Sequence, residues 1–447
     1  MKKGKNNSIP LGTIDYYGKE AILRKYILSN IERIYMKYGF EPLYTPIIEN
    51  EDVFKGHHGE GEKLLFKLQD KTEEKYVLKY DSTVPLARVV SMYDDIKLPY
   101  KRFQLQQSYR DDEIDKGHYR EFIQCDGDIV GAFSVLNDAE IIMIASDVLQ
   151  TIGFKDYTIR LNHRKFIQAI AKKANMSSKE KILEIQRAID YADKVLKSGI
   201  TGIKKDLKKR NINEKVIEII IDLVNISESS NGIEESLENI DKYFFNNIYA
   251  REGIDDMKKI ISMLPKNVKS HCKLDFTLAR GADYYTGFII EAVINNIKLG
   301  AVLGGGRYDN LVSAFSNKQI PAVGMAFGME RLIVALKELK LDKNIPYDEK
   351  IALYTTEENS LLAFNITKNL RKKYNVTVLT SKDIPSYKAI NYCKDMMISY
   401  FCSLKVDGDI SIKKINNSTK IKELYLQKDI EKIKNELQIK NNTKTLV

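Results

Sequence analysis

Cysteine is scarce in this sequence: four residues in 447, Cys125, Cys272, Cys393 and Cys402, with no CxxC spacing among them. That excludes a disulfide scaffold and argues against a zinc knuckle or finger. Long apolar runs are missing as well. No stretch approaches 18 consecutive apolar residues, so no transmembrane helix is expected. The first residues, MKKGKNNSIPLG, are basic but are not followed by an apolar stretch, so a secretory signal is not expected. These absences predict a cytoplasmic protein with no membrane partner. Two nucleotide signatures are also lacking: there is no GxxxxGK[ST], and no GxGxxG follows a strand pattern. His57-His58, near Glu60 and Glu62, lacks ligand spacing and reads as part of a Gly-rich loop rather than a metal site.

What is present describes a folded chain. Apolar residues make up 43% and charged residues 30%, a balance that allows a full core and excludes global disorder. At about 150 residues per domain, the length predicts several domains. Lys and Arg number 71 against 61 Asp and Glu, a net +10. One reading of that excess is a polyanionic partner such as nucleic acid. The other is drift, since Lys, Ile and Asn are abundant throughout, and the magnitude does not decide between them.

Periodicity outlines the elements. Residues 1–15 read as an arm ending in the turn Pro10-Leu11-Gly12-Thr13. A helix over 17–38 follows, with Ile27, Ile31, Ile34, Tyr35 and Tyr38 at helical spacing, stopped by Gly39. Residues 41–48 read as one strand whose Pro42 and Pro46 put it at an edge or an interface. Between 98 and 131, Phe103, Leu105, Gln107 and Tyr109 alternate with Gln104, Gln106, Ser108 and Arg110; a polar loop, 111–118, intervenes; then Ile123, Cys125, Gly127 and Ile129 alternate with Phe122, Gln124, Asp126 and Asp128. Period two on both sides of a loop predicts an antiparallel pair. One face of the second strand carries Arg120, Phe122, Gln124, Asp126 and Asp128, a set with no purpose in plain packing, and this points to a polar ligand site on a rigid sheet. Cys125 falls on the opposite, buried face.

Residues 177–264 change character to charged, helical spacing and read as a helical insertion. Strand patterns resume at 274 and run to 303, with Gly304-Gly305-Gly306 read as a turn. A strand over 322–327 and a helix from Met329, with Leu332, Ile333, Leu336 and Leu339 on one face, complete this part. A charged linker, 341–350, predicts a boundary. Beyond it, short strands at 351–354 and 376–379 flank a helix over 360–373, the order of a small α/β domain. The tail from Asn441 reads as frayed.

Five ordered blocks carry a resemblance. They are Leu78-Lys79-Tyr80-Asp81-Ser82-Thr83-Val84-Pro85; Tyr109-Arg110-Asp111-Asp112 through Gly117-His118-Tyr119-Arg120-Glu121-Phe122-Ile123-Gln124-Cys125-Asp126; Thr277-Leu278-Ala279-Arg280-Gly281-Ala282-Asp283-Tyr284-Tyr285-Thr286-Gly287; Gly305-Gly306-Arg307-Tyr308-Asp309; and Gly324-Met325-Ala326-Phe327-Gly328-Met329-Glu330-Arg331-Leu332. Together, over roughly residues 10–340, they resemble the class II aminoacyl-tRNA synthetases, specifically the histidyl family and its eukaryotic and archaeal branch. The resemblance implies an α/β (α+β) fold: an antiparallel sheet flanked by helices, divided as 1–176 and 265–341, interrupted by the insertion 177–264 and followed by an anticodon-binding-like α/β domain, 350–447. It implies a homodimer, with 41–48 resembling the interface signature. Its substrates would be L-histidine, ATP with Mg²⁺ on the phosphates, and tRNA(His); no metal site built from protein ligands is implied.

Roles follow residue by residue. By resemblance Arg110 binds the α-phosphate, Phe122 packs on adenine, Arg331 binds the γ-phosphate, and Asp112 and Arg120 complete the ATP site. Arg280 resembles the family's additional catalytic arginine. Asp81, Thr83 and Gln124 would hold the histidine ammonium, while Asp128 with Tyr285, beside Tyr284, would hold the imidazole. The chemistry is consistent: guanidinium forks suit phosphates, an aromatic face suits a purine, and a carboxylate plus a phenol can meet an imidazole's donor and acceptor. Three positions depart from the family pattern. His118 stands where arginine is usual in the loop, Lys79 replaces an arginine, and Ala282 replaces a leucine. Residues 387–415 match only loosely; Lys388, Lys394, Lys405, Lys413 and Lys414 could contact phosphates, though surface lysines are commonly just solvated. The expected activity is histidine–tRNA ligation. The alternatives are a synthetase-like paralogue that does not charge tRNA, either the regulatory subunit of ATP phosphoribosyltransferase or an adenylate-forming enzyme for another acceptor.

Overall fold

The helical spacing near the N-terminus becomes α1 (Gly18–Lys37) in the computed structural model, with Leu23, Ile27, Ile31, Ile34 and Tyr35 buried along one stripe. The structure describes residues 8–443 apart from 57–58, 70, 72, 177, 196–198, 279–283, 317, 345–348, 406 and 416–422. His57-His58, Arg280 and Ala282 therefore lie outside the described residues.

The single strand expected over 41–48 is instead two short ones in different sheets. β1 (Glu41–Pro42) lies at the edge of the main sheet, while β2 (Ile48–Asn50) pairs with β4 (Tyr76–Leu78), which also pairs with β3 (Lys67–Leu68). Pro42 and Pro46 have no N–H to give a ladder, so the chain leaves one sheet and joins another between them. After α2 (Thr83–Met92), β5 (Tyr100–Tyr109) and β6 (Glu121–Val130) form the long antiparallel pair that the alternation predicts.

Then follow α3 (Leu136–Ile152), β7 (Tyr157–His163) and α4 (Lys165–Lys173). Five helices come next: α5 (Lys179–Val195), α6 (Gly199–Lys209), α7 (Glu214–Ser229), α8 (Ile233–Tyr243) and α9 (Ile248–Met263). Each packs on the next, and α9 packs back on α4. The short α10 (Lys266–Lys269) leads to β8 (Cys272–Leu274), β9 (Phe288–Ile294), β10 (Leu303–Arg307), β11 (Ala322–Gly328) and α11 (Met329–Glu338).

The main sheet has eight strands in the order β1-β5-β6-β11-β10-β9-β7-β8. Its six central strands are joined antiparallel, and each edge strand is added parallel. The result is the mixed α/β architecture expected, an antiparallel sheet flanked by helices. α1 and α3 cover one face. Tyr35 of α1 donates from its hydroxyl to the Cys125 carbonyl at 3.0 Å and stands where a side chain at Gly127 would be.

The chain divides into two compact units between residues 344 and 345. The second is built from β12 (Lys350–Thr355), α12 (Ser360–Leu370), β13 (Asn375–Thr380), α13 (Ser386–Asp395), β14 (Tyr400–Leu404), β15 (Ile410–Lys414) and α14 (Glu423–Thr443). Its sheet runs β13-β12-β14-β15, and Leu426 and Ile430 of α14 bury against it beside Ala363 and Ile366 of α12. Residues 441–443, expected to be frayed, continue α14. All four cysteines are free and buried.

The three glycines expected to make a turn, Gly304-Gly305-Gly306, lie inside β10 and are paired on both sides. Gly305 and Gly306 are packing glycines. A Cβ on Gly305 would stand 2.2 Å from the Gly324 carbonyl oxygen and 2.7 Å from the Met325 Cα, both backbone atoms that cannot step aside. Gly305→Ala is therefore expected to cost about 2–3 kcal/mol, the scale of core overpacking, read as a fall in the urea midpoint with an unchanged slope.

Candidate active site

Cross-strand register fixes which side chains share a face. Arg102, Gln104, Gln106 and Ser108 of β5 stand opposite Asp128, Asp126, Gln124 and Phe122 of β6. β11 and β10 continue this face with Gly324, Ala326 and Gly328, then Gly306 and Gly304. Polar groups and one aromatic ring thus border a floor almost without side chains, open enough for a ligand to lie on the strands.

Two regions are built on this floor. The first is a cavity of about 550 Å³ lined by Arg110, His118, Tyr119, Phe122, Gln124 and Arg331, with Ala326 and Gly328 beneath. Arg110 follows β5 directly. Its guanidinium carbon lies 4.4 Å from the centre of the Tyr80 ring and 5.0 Å from that of Phe122, so two aromatic faces orient the fork. Arg331 is the third residue of α11 and donates from Nη1 to the Ala301 carbonyl at 2.7 Å. Its stem packs against Gly117 of the loop, which turns at φ +70. Two cations and the start of a helix therefore face one cavity, an arrangement suited to phosphate. His118 sits 3.6 Å from Asp112. Burial nevertheless pulls its imidazole below the ordinary value, against the opposing pull of Asp112. At neutral pH the loop therefore carries no fixed cation at this position.

The second region is a buried polar cluster at the other end of the β5–β6 ladder. Arg102 has no exposed surface. Its Nη2 lies 2.8 Å from Asp128 Oδ2 and donates to the Ser82 carbonyl at 3.0 Å. Tyr308 donates from its hydroxyl to Asp128 Oδ1 at 2.5 Å. The Tyr308 ring meets that of Tyr284 at 5.8 Å, and Tyr284 meets Tyr285 at 4.8 Å. Asp81 Oδ1 accepts from the Thr83 and Val84 amides at 3.2 and 3.1 Å, which fixes the carboxylate at the start of α2. Lys79, also fully buried, donates from Nζ to Gln106 Oε1 at 2.9 Å. No Cβ fits at Gly324, because it would stand 1.9 Å from Asp128 Oδ1.

The sequence places most of these residues correctly on one face but misses several. Asp128 is held by Arg102 and Tyr308, which the sequence motifs do not single out; the period-two alternation of β5 reaches Arg102, but no local pattern joins Tyr308 to Asp128. Arg120 does not line the cavity: it turns to Asp111 at 3.2 Å and to the Asp112 carbonyl, beneath Gly12. A third feature has no local signal at all. Arg160 of β7 reaches the cavity wall and meets Asp193 of α5, Asp275 and Glu291 at 2.5, 2.7 and 3.2 Å. Among the described residues, no group of three or more His, Cys, Asp or Glu is arranged to hold a metal.

The buried cluster predicts a pH dependence of stability. Burial pushes the Asp126 carboxyl up to about 7, with Arg102 opposing, and its Oδ2 has no hydrogen-bond partner. In the unfolded chain the same group titrates near 3.8. A raised acid is harmless below its unfolded value; its penalty grows as pH rises between the two values and is complete above the folded one. Burial also pulls Lys79 down to about 8, so its own penalty is nearly constant below that pH. Asp126→Asn should therefore stabilise the protein at pH 8, by up to about 4 kcal/mol, and much less at pH 5. Thermal unfolding of both proteins across this range measures the difference; parallel curves would contradict it.

Residues 12–332 match the family model for histidyl-tRNA synthetase. The chain is 36% identical to the histidine–tRNA ligase of Aeropyrum pernix over 333 residues, 74% of each chain. It is 32% identical to that of Clostridium tetani over 442 residues, 96% of this chain and 98% of the other. Among solved structures it resembles a histidyl-tRNA synthetase from Nostoc sp. PCC 7120 with a TM-score of 0.78 at 24% identity, covering 97% of this chain and 100% of that one. It also resembles a structure from Bacillus halodurans described as an ATP phosphoribosyltransferase regulatory subunit/histidyl-tRNA synthetase, with a TM-score of 0.71 at 19% identity, covering 87% and 97%. With the family model spanning most of the chain, and with relatives above 30% identity aligned along nearly its whole length, this chain belongs to the histidyl-tRNA synthetase family.

Proposed function

We propose that the chain is a histidine–tRNA ligase that activates L-histidine with ATP and transfers it to tRNA(His). The observation that carries this reading is the shared face of β5, β6 and β11 with the start of α11: Arg110, Phe122 and Arg331 border one cavity, and further along β6 Asp128 meets Tyr308, which packs on Tyr284 and through it Tyr285, with Asp81 near enough to act on its charge. Alignment of the second unit with a histidine–tRNA ligase relative over 96% of the chain supports tRNA charging over a non-charging role.

The histidine carboxylate attacks the α-phosphorus, the bond to the β-phosphate oxygen breaks, and pyrophosphate leaves. A ribose hydroxyl of the tRNA then attacks the acyl carbon and releases AMP. The nucleophiles come from the substrates, so the protein supplies positioning and charge. Arg110 would take the α-phosphate, Arg331 the γ-phosphate and Phe122 the adenine, while Asp112 orders the loop beside His118. Asp81, Thr83 and Gln124 would receive the ammonium. Asp128, oriented by Arg102 and Tyr308, would face the imidazole with Tyr284 and Tyr285. Mg²⁺ would neutralise phosphate charge; it is commonly held by phosphates with one or two carboxylates, and Glu291 on the cavity wall is such a group.

Residues 177–264 would form the insertion domain and 350–447 the anticodon-binding domain. Exposed apolar residues near the edge strand β1, Tyr44 and Ile48, and at the close of the β5–β6 ladder, Leu98, Phe133 and Leu136, support a homodimer interface on that side. A cytoplasmic location is consistent with the absence, among the described residues, of a helix long and apolar enough to cross a membrane.

Histidine-dependent ATP–pyrophosphate exchange, run beside charging of a tRNA(His) transcript, tests the activity; absence of both would refute it. Arg280→Ala should lower exchange by about 10²–10³-fold, the scale of losing one charge-stabilising donor, without moving the unfolding midpoint. Truncation after Asn344 should retain exchange and lose most of the charging rate; unchanged charging would refute the role given to the second unit.

A further inference from the structure

Behind the nucleotide cavity lies a second one, about 530 Å³, lined by Tyr16, Arg24, Tyr119 and Glu330 together with Ile333 and Lys337. Tyr119 and Glu330 also line the first cavity, so they form the wall between the two. Glu330 does an unusual job there. β11 ends at Gly328, paired with Gln124. One residue earlier in β6, Ile123 is paired with Gln107 of β5 on one side but has no β11 residue on the other, and its amide donates to the two Glu330 carboxylate oxygens at 3.3 and 3.2 Å. The same carboxylate accepts from Arg24 Nη2 of α1 at 2.9 Å, with the two side chains only 10% and 3% exposed. Tyr16, from the arm before α1, lies with its ring centre 3.7 Å from the Arg24 guanidinium carbon. The other terminal nitrogen, Nη1, is buried without a partner, so the fork rests on one carboxylate and one ring. The arm is itself pinned to the base of the 111–119 loop, where the Gly12 carbonyl accepts from the Arg120 and Glu121 amides at 2.9 and 3.3 Å.

Glu330 and Arg331 are consecutive in the first turn of α11. A carboxylate that ties this turn to β6 also decides where the next side chain starts. We propose that Arg24 is a positioning residue for nucleotide binding: through Glu330 it fixes the first turn of α11 and so aims Arg331 into the cavity, with Tyr16 holding its guanidinium flat. The inference rests on the reading of that cavity as the ATP site. Without Arg24, Glu330 keeps a buried charge with no cation beside it. Burial already raises its carboxyl above the ordinary range, with Arg24 opposing. The group then takes a proton or turns outward, and the anchor of α11 loosens.

A purely structural ion pair would lower stability and affect both small substrates alike. Misplacement of Arg331 affects ATP alone. In pyrophosphate exchange with the full chain, Arg24→Met should raise the KM for ATP about tenfold or more, as misaimed contacts do, and leave the KM for histidine within twofold. Arg24→Lys keeps the charge but not the planar fork, and Tyr16→Leu removes only the ring; both should show the same split with smaller size. These two variants decide the matter if Arg24→Met does not fold. A rise in both KM values together, or in neither, would overturn the inference. ATP calorimetry on the same proteins separates it from the activity reading. If the wild type binds ATP but shows no histidine-dependent exchange, the activation reading fails, and the positioning role stands or falls on whether the Arg24 variants bind ATP more weakly.

Discussion

A guanidinium with no exposed surface, Arg102, holds the centre of this fold. It stands among Asp128, Asp126 and Lys79, all nearly or fully buried, in a region where charge is expensive unless paired. The pairing is uneven. Asp128 takes Arg102 and Tyr308, Lys79 takes an amide oxygen, and Asp126 keeps one oxygen bare. Burial opposes the charge on Arg102, but the two carboxylates outweigh it and hold it protonated more firmly than usual. The surrounding strands must keep their register for this cluster to persist, since a slip of one residue would send every member to the opposite face. The long β5–β6 ladder and the glycines that bring β10 and β11 close together supply that rigidity.

The same constraint explains what kind of ligand the face can recognise. A site assembled from fixed, desolvated donors and acceptors discriminates strongly, because a ligand that fails to meet them leaves them unpaired. The cavity at Arg110 and Arg331 is different in kind. It is bordered by two arginines and aromatic rings, and suited to a ligand carrying several negative charges. One sheet thus offers two chemistries within a few residues of each other along β6.

Much of this was legible in the sequence, and the reasons differ by residue. The β5–β6 pair announced itself through strict alternation, and α1 and α11 through three-four spacing, because in each case one face is buried and the other is not. Gly304-Gly305-Gly306 misled because glycine runs signal turns when the backbone needs freedom, whereas here the need is for absent side chains. The split of 41–48 was half visible in its two prolines. Arg160 was invisible: its partners Asp193, Asp275 and Glu291 are 33, 115 and 131 residues away in the chain, and nothing in a local pattern joins them. Tyr308 follows the glycine run in a family-like segment, yet only the fold shows that its hydroxyl ends on Asp128.

The placement of the cysteines has a practical consequence. All four are buried, and burial raises the thiols of Cys272 and Cys402 to about 12 and that of Cys393 to about 11, with Glu423 adding to it at Cys402; Cys125 is pushed well up, by burial first and by Glu330 and Asp126 as well. Thiols held so far from ionisation react slowly with alkylating reagents. A single cysteine introduced on the surface would therefore be the one fast-reacting thiol in an otherwise wild-type chain. Spectroscopic probes could be attached to either compact unit in turn without first stripping the native cysteines from the core.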